Sequence, residues 1–372
     1  MRVALFVPGG VDRSGTDRVI PALLAFVERL ARRHDVVVVA MTPAPASRYE
    51  LLGATVYDVG GRAGRRRRTL SLLADEHRRQ PFDLFHAFWA RGPGSMAAIA
   101  GWRHHVPVVL HLAGGEMVAM PEIGYGHRRS VRGRLALQLA AAGASRITVA
   151  SAPMADTAAA LGYTTSRIPL GVALDRWPLA APRPRDVGRP ARLLHMADLN
   201  RVKDQSTLLR ALARLRLEGI AFHLDVAGYD ALDGAVQREA ERLGLADVIT
   251  FHGRLRYPAL HALATKADVH LMSSRHEAGP LAVLEAALAG VPTVGTRVGH
   301  IAEWAQTAAI AVPVGDAEAL ADETAMMLVD DEHRLQVADQ AQRRAAAEHA
   351  DVTAGRFEAL YAEILTAGEA GR

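Results

Sequence analysis

The sequence predicts two α/β domains, each a parallel sheet flanked by helices, and three observations carry that prediction. Short Val-, Leu- and Ala-rich runs alternate with amphipathic helical segments across residues 2–172 and again across residues 191–303. Such alternation argues for βαβ units and parallel strands. Between the two series stands Arg176-Trp177-Pro178-Leu179-Ala180-Ala181-Pro182-Arg183-Pro184-Arg185, whose prolines mark a linker. Half of the 372 residues are hydrophobic but only 5% are aromatic, so small aliphatic side chains must fill the layers. The expected division is residues 1–175, a linker at 176–190, a second Rossmann-like domain at 191–350, and a terminal helix at 351–372.

In the first half, Arg2 to Val7 reads as a buried strand, followed by a loop with Gly9, Gly10 and Gly15. Glycines there either let backbone approach a ligand or make a tight turn. The spacing is not G-x-G-x-x-G, so a dinucleotide site is poorly supported. A helix is expected over Arg18 to Arg33, a strand over Val36 to Ala40, and a helix end and strand over Leu51 to Asp58. Arg65, Arg66, Arg67 and Arg68 then precede a helix at Thr69 to Arg79. A run of four arginines is either a solvated face or, beside Leu70, Leu72 and Leu73, a contact for an anionic surface. Strands are read at Asp83 to Phe88, which contains His86, and at Val106 to Leu110, which ends at His111. His86 reads as structural, and His111 is placed at a strand end, where ligands of α/β sheets bind. Glu116 follows, and the irregular stretch Met117 to Arg134 is long enough for a binding loop. The half closes with a helix at Leu135 to Ala142, a strand at Arg146 to Ala150, a helix to Leu161 and a strand at Arg167 to Val172.

The second half repeats the scheme. Strands are expected at Ala191 to Met196, His223 to Ala227 and Val248 to Phe251, with helices at Ser206 to Glu218, Ala235 to Leu243 and Pro258 to Thr265. Lys203 lies in the loop after the first of these strands and is one of two lysines in a chain with 42 arginines. A compact ammonium there can sit on a pyrophosphate, with Arg201 and Arg254 as further cations. The stretch from His270 to Glu303 holds the densest signal: a strand end, Ser273 and Ser274, the turn His276-Glu277-Ala278-Gly279, then Pro280 opening a helix from Leu281 to Leu288. The N–H groups of Leu281 and Ala282 would face an anion at that helix start. Glu285, inside the apolar helix, is either an exposed residue or a carboxylate reaching a ligand hydroxyl. Gly290-Val291-Pro292, a strand Thr293 to Thr296 and Val298-Gly299-His300-Ile301-Ala302-Glu303 complete a βαβ unit. From Ala317 the chain reads as helical, with Phe357, Leu360, Tyr361 and Ile364 on one face of its last helix.

Glu277-Ala278-Gly279-Pro280 followed by Glu285-Ala286 and Gly-Val-Pro-Thr-Val resembles the donor motif of the family 4 retaining glycosyltransferases. The resemblance implies a GT-B fold, two Rossmann-like domains facing across a cleft, with the last helix packing back on the first domain. It implies a hexosyltransferase that takes a UDP- or GDP-sugar, needs no metal or other cofactor, and retains the anomeric configuration. Lys203, Arg201 and the N–H groups of Leu281 and Ala282 would then meet the diphosphate, and Glu285 the ribose. Glu277 and His111 would hold the transferred sugar, and the loop at Gly9 and Gly10 would face the donor phosphates. Asp198 stands near the position where the family usually has an arginine. Alternatives of the same fold are a sugar-nucleotide epimerase, a phosphorylase, or a nucleotide-sugar binder without catalysis.

Charge and composition bound the partners. Residues 1–170 carry 22 basic and 12 acidic residues, against 22 and 28 in the remainder, so the first half is the basic one. An anionic partner fits that half, whether a sugar, small-molecule or lipid-linked acceptor or an anionic membrane surface. No nucleic-acid partner is expected. Without cysteine there are no disulfides or thiolate metal sites. MRVALFVPGG reads as a strand and turn, not a signal peptide, and no apolar run reaches membrane-spanning length. A cytoplasmic protein, with peripheral contact at the inner membrane face, is the expectation.

Overall fold

The first 171 residues run β1 (Arg2–Val7), α1 (Pro21–Ala31), β2 (Asp35–Ala40), β3 (Ser47–Leu51), β4 (Ala54–Asp58), α2 (Arg65–Arg79), β5 (Leu84–Phe88), α3 (Ser95–His104), β6 (Val108–Leu112), α4 (Val131–Ala142), β7 (Arg146–Val149), α5 (Ala152–Ala160) and β8 (Ser166–Arg167). The next stretch runs β9 (Ala191–Met196), α6 (Gln205–Leu217), β10 (Phe222–Ala227), α7 (Ala235–Arg242), β11 (Ile249–Gly253), α8 (Tyr257–Ala264), β12 (Val269–Met272), α9 (Leu281–Leu288), β13 (Thr293–Thr296), α10 (Gly299–Trp304), β14 (Ile310–Val312), α11 (Ala317–Val329) and α12 (Asp331–Ala347). α13 (Ala350–Ala370) ends the described chain. This computed structural model describes residues 1–370, so the last two positions of the helix expected over 351–372 lie outside it.

By internal packing the chain forms two units: Met1–Gly171 with the segment from Ala350 onward, and Val172–His349. In the first, eight strands lie in the order β3-β4-β2-β1-β5-β6-β7-β8, parallel except for β3. The aromatic face of α13 packs inside this unit. Phe357 and Tyr361 are fully buried, Phe357 stands 5.1 Å from the Phe26 ring, and the Tyr361 hydroxyl is hydrogen-bonded to His86 Nδ1 at 2.6 Å. In the second unit six parallel strands lie in the order β11-β10-β9-β12-β13-β14. The order reverses between β9 and β12, so loops leaving those two strands diverge and open a crevice at their carboxyl ends.

The structure departs from the expectations at several points, each with a local cause. α1 begins at Pro21 rather than Arg18, because Arg18 adopts a left-handed conformation and Pro21 presets the first helical turn. Leu51 to Asp58 is no helix end: β3 and β4 form an antiparallel hairpin around Leu52 and Gly53, both at positive φ. The four arginines lie inside α2, as its first turn, rather than ahead of it. β6 continues through His111 to Leu112, two residues past its expected end. α4 starts at Val131, four residues early, because the Ser130 hydroxyl accepts the Gly133 N–H at 3.1 Å and caps it. The last strand of the half, expected over Arg167 to Val172, is reduced to Ser166 and Arg167, which pair with β7.

Residues 176–190 are not a free linker. Trp177 is fully buried in the second unit, the Ala180 N–H donates to the Leu288 carbonyl at 3.0 Å, and Arg183 donates to the Thr265 carbonyl at 3.3 Å. The segment is a strap over α8 and α9, so the division falls at Gly171 rather than at 175. A tryptophan between prolines anchors an extended chain where the prolines alone suggested a spacer.

Candidate functional site

The crevice of the second unit is built by two loops. The loop after β9 turns at Asn200, whose Oδ1 accepts the Val202 N–H at 3.2 Å, and lifts Lys203 toward the loop after β12. There Lys203 Nζ donates to Glu277 Oε1 at 2.5 Å, and the Ser274 hydroxyl donates to the same oxygen at 2.6 Å. Ser273 donates to the Lys203 carbonyl at 2.8 Å, and Arg275 pairs with Asp204 at 3.1 Å, so the two loops are laced together on both sides of the ion pair. Both charged side chains keep some solvent contact, 21% for Lys203 and 12% for Glu277. Beneath them His195 is fully buried, with Nδ1 hydrogen-bonded to the Leu271 carbonyl at 2.8 Å. Its other nitrogen, therefore unprotonated, meets the Gln205 amide at 3.2 Å. Burial pushes this imidazole down to about 4, so it joins β9 to β12 as a neutral strut.

Glu277-Ala278-Gly279 leads to Pro280, which stands just before α9 rather than as its first residue. The half-buried Leu281 and Ala282 follow, and their N–H groups belong to the first turn, where no intrahelical acceptor exists. Gly299, at a φ of 51°, passes over this turn so closely that a Cβ on it would stand 2.8 Å from Pro280 and 3.0 Å from Glu277. One turn into α9, Glu285 is 6% exposed. Its Oε1 accepts from the Tyr257 hydroxyl at 2.8 Å, and its backbone carbonyl accepts from Trp177 Nε1 at 2.9 Å. Burial raises this carboxyl to about 7, with the Tyr257 hydrogen bond opposing. Of the two readings open for Glu285, the exposed surface residue is thus excluded.

Arg201 and Arg254 are both exposed, on loops after β9 and β11. The Arg254 guanidinium lies 5.7 Å from the centre of the Tyr229 ring, itself 55% exposed on the loop after β10. Asp198 has a definite job here: its Oδ1 accepts the Tyr229 N–H at 2.7 Å and shapes that loop. Ser274 was noted as a hydroxyl at the strand end, whereas no site role was read from the sequence for Tyr257, Trp177, His195, Gln205 or Tyr229. Hydroxyl pairs and a buried histidine depend on which strands become neighbours, which local sequence does not reveal.

The residues expected in the first unit are placed differently. Gly10 carries a φ of 83°, and a Cβ there would stand 2.8 Å from Ile20, so its need for glycine is met by the chain's own packing; Gly9 beside it is half-buried. His111 is fully buried inside β6, with Nδ1 bonded to the Thr148 hydroxyl at 2.9 Å and its ring against Phe88 and Phe357. This corrects its expected position at a ligand-facing strand end. Burial drives it down to about 3, and its Nε2 has no partner. Glu116 is also fully buried, and accepts the Gly114 N–H at 2.8 Å, so it pins its own loop instead of facing an acceptor. Arg65 donates to the Met41 carbonyl, and Arg68 to the carbonyls of Val59, Ala63 and Gly61. Only Arg66 and Arg67 of the four remain fully outward, and Leu73 of the neighbouring apolar face is buried.

Comparison with known proteins gives this arrangement a context. Residues 182–344 match the family model for glycosyl transferases group 1, and residues 19–171 match that for a glycosyl transferase 4-like domain. The chain is 34% identical over 133 residues to a glycogen synthase of Mycobacterium tuberculosis, covering 36% of this chain and 32% of that protein. It is 32% identical over 203 residues to a D-inositol 3-phosphate glycosyltransferase of Arthrobacter sp., covering 52% of this chain and 41% of that one. The matches thus span about a third to two fifths of those relatives' length. Among solved structures, sucrose-phosphate synthase of Thermosynechococcus elongatus superposes with a TM-score of 0.79 at 18% identity, covering 99% of this chain and all of that one. HepE of Anabaena, in complex with UDP and glucose, superposes with a TM-score of 0.76 at 19% identity, over 98% and 99%. At these identities the likeness is one of fold, the GT-B type.

Proposed function

Because the chain belongs to the glycosyltransferase 4-like, group 1 family, we propose that it transfers a hexosyl unit from a nucleoside-diphosphate sugar, UDP- or GDP-linked, to an acceptor with retention at the anomeric carbon. The observation that supports this most is the pairing of Lys203 with Glu277 beside the start of α9, at the point where the strand order of the second unit reverses. A cation, a carboxylate and free helix N–H groups there match a sugar carried on a diphosphate. In transfer, the bond from the anomeric carbon to the phosphate oxygen breaks, the acceptor oxygen bonds to that carbon on the same face, and the acceptor proton leaves to the departing phosphate. Lys203, Arg201 and the N–H groups of Leu281 and Ala282 would carry the charge that develops on the diphosphate, in place of a metal. Arriving phosphate competes with Glu277 for the ammonium, which frees that carboxylate for the sugar hydroxyls. Glu285, held against Tyr257, would accept from the ribose. The nucleotide in the HepE complexes, UDP, fits this reading. We place the reaction in the cytoplasm, with a sugar, small molecule or lipid-linked group as acceptor.

The test is release of nucleoside diphosphate from a panel of UDP- and GDP-sugars, with and without candidate acceptors, in EDTA. Acceptor-dependent release in the chelator is expected. Binding without release under every acceptor would instead make this a nucleotide-sugar binder.

A further inference from the structure

We propose that the face formed by α3 and α4 docks on an anionic lipid bilayer. Val131 and Leu135 are 60% and 58% exposed, one helical turn apart on α4. Gln138 and Ala142 are exposed on the same line, so the four fall within an arc of about 60°. Gly133, Leu137 and Ala140 form the opposite, buried face. At the far end of this stripe stands Trp102 of α3, 51% exposed and close enough to α4 that a Cβ on Gly143 would lie 3.4 Å from its ring. Apart from Gln138, the line is apolar from end to end.

Charge identifies the occupant. Arg132 and Arg134 flank the stripe on its two sides, Arg129 precedes it, and Arg103 and Arg146 lie at its tryptophan end, all exposed. From Leu84 to Ala155 the sequence holds seven arginines and two glutamates, and of those two Glu116 is buried. A helix with aliphatic and tryptophan side chains outward, arginines beside them and no carboxylate of its own suits an interface of acyl chains and anionic headgroups. A second copy of this chain would bring the same arginines face to face. The arginine run of α2 is the weaker candidate, since α2 carries Asp75 and Glu76 and Leu73 of its apolar face is buried, whereas α4 carries no carboxylate.

The proposal is independent of the donor reading, and its test reads binding rather than turnover. The full chain is sedimented with vesicles of phosphatidylcholine alone and of phosphatidylcholine with an equal part of phosphatidylglycerol. Wild type should pellet with the anionic vesicles only, release as salt is raised, and shift its tryptophan emission to the blue. Leu135→Asp should weaken partitioning at least about tenfold, and Arg132→Ser or Arg134→Ser about fivefold each. Arg66→Ser with Arg67→Ser should bind as wild type, and Trp102→Phe should lose the emission shift. All these positions are exposed, and an unchanged thermal midpoint confirms that each variant folds. Wild type remaining in the supernatant with anionic vesicles overturns the proposal. So does binding that follows Arg66 and Arg67 instead of α4, or a dimer that Leu135→Asp dissolves in a protein without vesicle binding.

Discussion

The two sheets treat their polar residues in opposite ways. In the second unit, Lys203 and Glu277 emerge from loops beyond the ends of β9 and β12, paired to each other yet still wetted. In the first, His86 and His111 sit within β5 and β6, wholly enclosed, with Nε2 of each lacking a partner. Of these, His111 was expected, like Lys203 and Glu277, on the ligand side of its strand. What separates them is where hydrogen bonding to the neighbouring strand stops. β12 ends at Met272, five residues before Glu277, whereas β6 pairs with β7 through Leu112 and carries His111 into the interior. A side chain is offered to a ligand only after the ladder releases its backbone.

Variants that exchange the two environments break or sharpen this contrast. The largest effect should come from Lys203→Ala, which removes the cation proposed to face the leaving diphosphate and should lower kcat by about a hundredfold or more. Lys203→Arg should restore part of it if charge is the main contribution. Next, Glu285→Ala should weaken nucleotide binding by about 1.5–3 kcal/mol, the range for a charged hydrogen bond. Glu277→Gln should cost nucleotide affinity less, because it also releases Lys203 from its competitor; calorimetry with UDP and GDP separates the two. Equal losses would contradict the division between ribose and sugar.

Acidity gives a third contrast. His86, His111, His195 and His270 are all held below the ordinary value of 6.5, chiefly by burial, His111 and His270 to about 3 and His195 to about 4. Below pH 6.5 the unfolded chain binds protons that the folded chain refuses, so stability falls as pH falls, down to those lowered values. Each histidine contributes a slope of up to about 1.4 kcal/mol per pH unit. His111→Leu should therefore flatten the acid limb of a denaturation series while leaving kcat within about threefold. A hundredfold loss of kcat would instead put His111 in contact with substrate. Glu285 works in the other direction. With its carboxyl raised to about 7, affinity for a nucleotide sugar should improve as pH rises to that value, and the dependence should vanish in Glu285→Gln. The smallest expected effect is that of EDTA on turnover, which should be none.

Much of this was legible in the residues. The βαβ stretch from His270 to Glu303 could be read because its strand, turn and helix signals are local, and only the place of Pro280, one residue ahead of the helix, differs from the pattern. The loop at Lys203 drew attention because lysine is so rare in this chain. The hairpin at Leu52 and Gly53 was missed because Leu52 takes a left-handed conformation that its residue type does not announce. The start of α4 was missed because Gly133 reads as a breaker, whereas it is required there by the His127 carbonyl, 1.8 Å from where a Cβ would be. Trp177 and Tyr257 escaped notice because their value to Glu285 lies in contacts 108 and 28 residues away in sequence. Local chemistry is written in order along the chain, but support for a buried carboxylate is assembled across it.

The proposed nucleotide site of the second unit rests on Lys203 and Glu285. Equilibrium binding of UDP and GDP to wild type, Lys203→Ala, Glu285→Ala and His111→Leu, in EDTA, tests it most directly. One nucleotide should bind wild type and His111→Leu alike, and both other variants at least about tenfold more weakly. Undiminished binding in Lys203→Ala and Glu285→Ala, or loss confined to His111→Leu, would contradict it.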